Sequence, residues 1–104
     1  CHVAGSAILR QPLESGLCLG CHQPLVAKRR FAHGPVAVGT CTPCHEPHTS
    51  KLPHLLKGPV TPVCLSCHDR KLIEKTTAHA DALDAAECTE CHDPHGGANP
   101  QFLK

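Results

Sequence analysis

Eight of the nine cysteines in this 104-residue chain fall into four Cys-x-x-Cys pairs, and each pair is followed at once by histidine. The four runs are Cys18-Leu-Gly-Cys21-His22, Cys41-Thr-Pro-Cys44-His45, Cys64-Leu-Ser-Cys67-His68 and Cys88-Thr-Glu-Cys91-His92. Cys-x-x-Cys-His is the pattern of covalent haem attachment. Two thiols add across the vinyl groups on one edge of a porphyrin, and the next histidine turns its imidazole onto the iron. Tether and axial ligand come from five consecutive residues, without a preformed pocket.

Three other uses of paired cysteines compete with this one. Four Cys-x-x-Cys pairs can build two four-thiolate zinc sites, but zinc has no need of a histidine after every second cysteine. With histidine near one residue in ten, four such coincidences have a chance of about 10⁻⁴. A thioredoxin-like redox motif needs one pair inside alternating strands and helices, a pattern this chain lacks. A disulfide framework would not repeat the two-residue gap. Four covalently bound haems c are the expectation.

The composition agrees. Two Phe and no Trp, Tyr or Met cannot fill the interior of an ordinary domain of this length. Four flat apolar porphyrins can. The chain without them should be close to unfolded, as small zinc domains are without metal. Ten Lys+Arg against nine Asp+Glu leave a formal charge of +1, which gives no nucleic-acid footprint. No apolar run approaches a membrane span. No basic-then-apolar leader is seen, so an export signal has been removed or was never supplied.

The chain is also a repeat. Cys18, His22 and His33 recur as Cys64, His68 and His79 at an offset of 46, and Cys41, His45 and His48 as Cys88, His92 and His95 at 47. Self-similarity at this period marks one supersecondary unit used twice. A single tetrahaem domain over 1–104 is expected, with repeats 18–48 and 64–95 and a linker 49–63. Pro53, Pro59 and Pro62 allow that linker one helical turn, near Leu55 and Leu56. A short helix is expected over Asp69–His79, and a helical turn over Asp81–Glu87 that runs into the fourth motif. The first half, broken by Pro24, Gly34, Pro35 and Gly39, reads as loop. No stretch alternates as a strand. The expected fold class is mostly coil with short α-helices wrapped around a haem stack, with little or no β.

The stretch His33-Gly-Pro-Val, the run from Gly39 through Cys41, Cys44, His45, Glu46-Pro-His48 to Ser50, then Leu55-Leu56 and Cys64-Leu-Ser-Cys67-His68 resembles the doubled-CXXCH multihaem cytochromes. The second half keeps the motifs and Asp93-Pro94-His95 but has Ala80-Asp81 in place of the Gly-Pro after the intermediate histidine. The resemblance covers residues 18–95. It implies electron transfer by six-coordinate, low-potential haems, in periplasmic carriers, outer-surface proteins and polymerised extracellular filaments. It also implies an exported protein whose partners are other redox proteins or extracellular acceptors.

Each iron takes a proximal histidine from its own motif: His22, His45, His68 or His92. The sixth ligand of such a haem is commonly Met or His, and the chain has no Met. The paired His33, His48, His79 and His95 supply the four distal ligands required. His48 and His95 follow a proximal histidine by three residues and are expected to reach a neighbouring haem. His2 and His54 are surplus: ordinary exposed residues, or ligands to a haem of an adjacent subunit in a head-to-tail filament. Cys1 has three readings: a lipidated N-terminus that anchors the protein to a membrane, the tail of a fifth haem motif, or a free thiol.

An enzyme is the rival class. Catalysis at haem iron needs an open axial site, yet every motif ends in histidine and six distal candidates serve four irons. A compact chain of this length has a radius of gyration of about 13 Å. Four porphyrins in that volume lie nearly edge to edge, so electrons can hop between them without protein motion. The expected function is therefore electron transfer through bis-histidine haems. Filament subunit and lipid-anchored or soluble shuttle remain the two settings.

Overall fold

The structure is a computed structural model that describes residues 1–11, 16–23, 25 and 28–104. As expected from the sequence, the described chain is mostly coil and turn with short helices. To these it adds one antiparallel pair of two-residue strands. Two compact units emerge. One comprises Cys1–Thr42 with Pro94–Leu103, the other Pro43–Asp93 with Lys104.

The first unit contains α1 (Leu19–His22), β1 (Phe31–Ala32), α2 (Gly34–Ala37) and β2 (Gly96–Gly97). Phe31 lies opposite Gly97 and Ala32 opposite Gly96. Gly96 has φ +126°, and a Cβ built there would lie 2.2 Å from the Phe31 carbonyl oxygen and 2.9 Å from Ala32 Cα. Only glycine permits so close a crossing of two backbones. Arg29 braces it: its guanidinium donates to the Gly96 carbonyl, and its Nε donates to Leu25 O at 3.1 Å. Pro35 does not prevent α2, because it sits in the first turn, where its missing N–H costs nothing.

The second unit holds a 3₁₀ turn (Pro53–Leu55), α3 (Val60–Leu65), α4 (Arg70–Ile73) and α5 (Cys88–Cys91), with α3 packed on α5. Here the local expectations need correction. The linker carries a second helix besides the turn near Leu55, since α3 starts at Val60 and runs into the third motif. Pro62 is in its first turn, so a residue taken as a breaker is compatible with a helix start. The helix expected over Asp69–His79 is only α4. Asp69 caps it by accepting from the Lys71 N–H at 2.8 Å, and turns follow from Glu74 onward. Residues 81–85 form turns with one helical bond, Ala86 N–H to Ala82 O at 2.9 Å. They do not run on into the fourth motif, because Glu87 is extended (ψ 143°) and starts α5 afresh through a capping box with Glu90.

Side chains alone do not make a core. Among the described residues Leu83 is the one buried hydrophobic side chain, and none is fully buried. Ile8, Val38 and Leu72 stand 60% or more exposed. A folded domain of this length normally buries most of its large apolar residues.

Candidate cofactor-attachment sites

Three of the four motifs close on themselves in one helical turn. The N–H of His22 donates to Cys18 O at 2.9 Å, that of His68 to Cys64 O at 3.1 Å, and that of His92 to Cys88 O at 2.9 Å. Residues i, i+3 and i+4 of a helical turn share a face. The spacing Cys-x-x-Cys-His therefore puts two thiols and one imidazole on the same side. That is the arrangement a vinyl-bearing edge and an axial iron require. Motif two is a turn instead, and Cys41 Sγ approaches Gly39 O at 3.5 Å.

None of the eight motif cysteines forms a disulfide. Among the described residues no three or more His, Cys, Asp or Glu side chains are grouped closely enough to hold a metal ion. The open motifs and near-absent core together fit a large apolar group at each Cys-x-x-Cys-His. In the second unit the thiols face a shared environment. Burial first, then the neighbouring Cys88, push the Cys64 thiol up to about 11. Burial, assisted by Cys67 and opposed by Lys57, raises that of Cys44. Both stay protonated at neutral pH.

The histidines are oriented by their other ring nitrogen. His33 Nδ1–H donates to Pro94 O at 3.0 Å, and His45 Nδ1–H to His54 O at 2.8 Å. A carbonyl can only accept, so the proton is on Nδ1 and the lone pair on Nε2. His79 reaches the same tautomer by another route. The Thr76 hydroxyl gives its proton to Ile73 O (2.9 Å), so its oxygen must accept from His79 Nδ1–H, 2.5 Å away. Metal-ligating histidines are held in this way by second partners. Thr76 was not legible as a site residue; its position three before His79 is the only sequence signal.

His79 and His92 come together, with ring centroids 5.9 Å apart and planes 15° from parallel. The His33 ring packs against Phe102 at 5.8 Å, and its backbone N–H donates to His95 O. His48 is exposed, with Nδ1 3.8 Å from a Glu46 carboxylate oxygen. His54 is exposed in a left-handed conformation (φ 57°), as is Leu55 beside it (φ 56°). Two consecutive residues there are strained, and the outcome is the carbonyl that orients His45. His22 and His68 are exposed, and His95 is half-buried in the turn just before β2.

The family model of the doubled CXXCH motif matches residues 33–72 and 79–104, together more than half of the chain. Motifs two, three and four fall inside these residues, and motif one lies outside them. No curated protein and no solved structure matches the chain.

Proposed function

Because the chain belongs to the doubled-CXXCH family, typical of multihaem c-type cytochromes that bind haem covalently and transfer electrons, we propose that it does so through four haems c, each held by two histidines. Haem supplies the one-electron redox centre; the polypeptide supplies attachment, ligation and spacing. The thiols of Cys18 and Cys21, Cys41 and Cys44, Cys64 and Cys67, and Cys88 and Cys91 would form the thioethers. His22, His45, His68 and His92 would be the proximal ligands.

The observation that carries the bis-histidine reading is the His79–His92 pair. A metal–imidazole bond of about 2 Å on each side of an iron sets two imidazole centroids about 6 Å apart, and these lie at 5.9 Å. His79 also has its lone pair on Nε2, the nitrogen farther from its backbone. On this reading it is the distal ligand of the haem attached at Cys88 and Cys91. His33, its counterpart at an offset of 46, is held in the same tautomer. The same pairing leaves no vacant axial site at that iron, which supports a carrier over an enzyme.

Replacing His79 with Ala tests this. One haem should become five-coordinate, seen as a high-spin fraction that binds carbon monoxide, while intact mass shows the same number of haems as the unsubstituted protein. A variant that stays wholly low-spin and inert to carbon monoxide would sink the assignment.

A further inference from the structure

Motif two is followed by a hook that returns the chain to it. Lys57 N–H donates to Cys44 O at 2.9 Å and Glu46 N–H to Leu55 O at 2.7 Å. His45 bridges antiparallel to Leu56, and its Nδ1–H is taken by the His54 carbonyl. The returning residues read Leu55-Leu56-Lys57. Motif four ends alike: Lys104 N–H donates to Cys91 O at 3.0 Å, and the returning residues read Phe102-Leu103-Lys104.

Residues 1–10 repeat this hook bond for bond. Arg10 N–H donates to Cys1 O at 2.9 Å and Val3 N–H to Ile8 O at 2.8 Å. His2 bridges antiparallel to Leu9, and its Nδ1–H donates to Ala7 O at 3.1 Å, which leaves its lone pair on Nε2. The returning residues read Ile8-Leu9-Arg10. Cys1 stands where Cys44 and Cys91 stand, His2 where His45 and His92 stand. Along the chain, hooked sites alternate with unhooked helical ones. The hooks follow Cys44 and Cys91, the unhooked motifs are Cys18–His22 and Cys64–His68, and Cys1-His2 falls at the next hooked place upstream. It lies outside the residues that the family model matches.

We propose that Cys1 and His2 are the closing cysteine and proximal histidine of a further haem-attachment site. Cys1 Sγ–H adds across a haem vinyl: the S–H bond and the vinyl π bond break, C–S and C–H bonds form, and no oxidant is consumed. His2 ligates the iron through Nε2. One difference has a consequence. Val3-Ala4-Gly5 replaces the x-Pro-His that follows motifs two and four, so this hook offers no counterpart of His48 or His95.

The inference rests on the haem-attachment reading of the other motifs, and one experiment separates the two. Protein from its native source is digested with trypsin, and the peptide ending at Arg10 is mapped by mass and visible absorbance. A haem adduct on that peptide is the expected result. A free thiol, a diacylglyceryl group or any other state of Cys1 overturns the inference. If the other motif peptides carry haem and this one does not, only the present inference falls; if none does, both fall. His2→Ala should remove one low-spin haem signal per chain and leave haem on the four complete motifs. An unchanged low-spin count in that variant refutes the assignment of His2.

Discussion

Gly96 is where the second half of the chain meets the element that carries His33, and replacing it with Ala should reach the iron that His33 is proposed to ligate. A Cβ there would lie 2.2 Å from the Phe31 carbonyl oxygen, whereas an unstrained contact needs 3.4 Å or more, so β1 must retreat by about 1 Å. Nothing nearby can yield cheaply, since the next atom is Ala32 Cα at 2.9 Å and both belong to backbone. A φ of +126° also costs an L-residue about 1–3 kcal/mol. His33 follows Ala32 directly, and it owes its orientation to two bonds from the same crossing: its Nδ1–H to Pro94 O and its N–H to His95 O. Gly96→Ala should therefore lower the melting temperature of the haem-loaded protein and give one haem a high-spin, carbon-monoxide-binding fraction. Gly20→Ala is the control: it lies in α1 with nothing within 4 Å of its Cβ, and loss of a helical glycine should be neutral or stabilising. A Gly96→Ala protein with native melting and a wholly low-spin spectrum would refute the link between this crossing and the haem ligand.

Thr76→Val removes the acceptor of His79 Nδ1–H. Imidazole then donates less to oxidised iron, so one haem should titrate at a higher potential in spectroelectrochemistry while the others hold; an unaltered titration would count against it. Haem removal should leave the chain close to unfolded, so Cys64, pushed up to about 11 in the fold, should then be alkylated as fast in buffer as in denaturant; slower alkylation in buffer would show that the fold stands without haem. Arg70→Ala breaks contacts to Glu74 (2.6 Å) and Asp84 (2.7 Å), but on an exposed surface. Its melting temperature should barely move, and a large drop would mean that α4 depends on this pair.

Covalent attachment was readable because it is local chemistry. Five consecutive residues define each motif, and one helical turn explains why the gap is two. The distal candidates were readable only through the repeat, which pairs His33 with His79 without saying what turns either ring. That needed Pro94, 61 residues from His33, and Thr76, three residues from His79. A carbonyl acceptor leaves no trace in residue type. The helix boundaries failed for a related reason: Pro35 and Pro62 were weighed as breakers, whereas position within the first turn decides what proline does. The strand pair escaped notice because two-residue strands show no alternation, and its real signal was Gly96-Gly97. His2 is the instructive case. By composition it was one of two surplus histidines, available as a ligand across a subunit boundary. The backbone ladder around it matches that around His45, and the Ile8-Leu9-Arg10 return is the sequence signature of that likeness. If His2 is proximal, His54 alone remains as the surplus donor. A head-to-tail assembly held by an iron–imidazole bond from a surplus histidine would then depend on that one exposed residue.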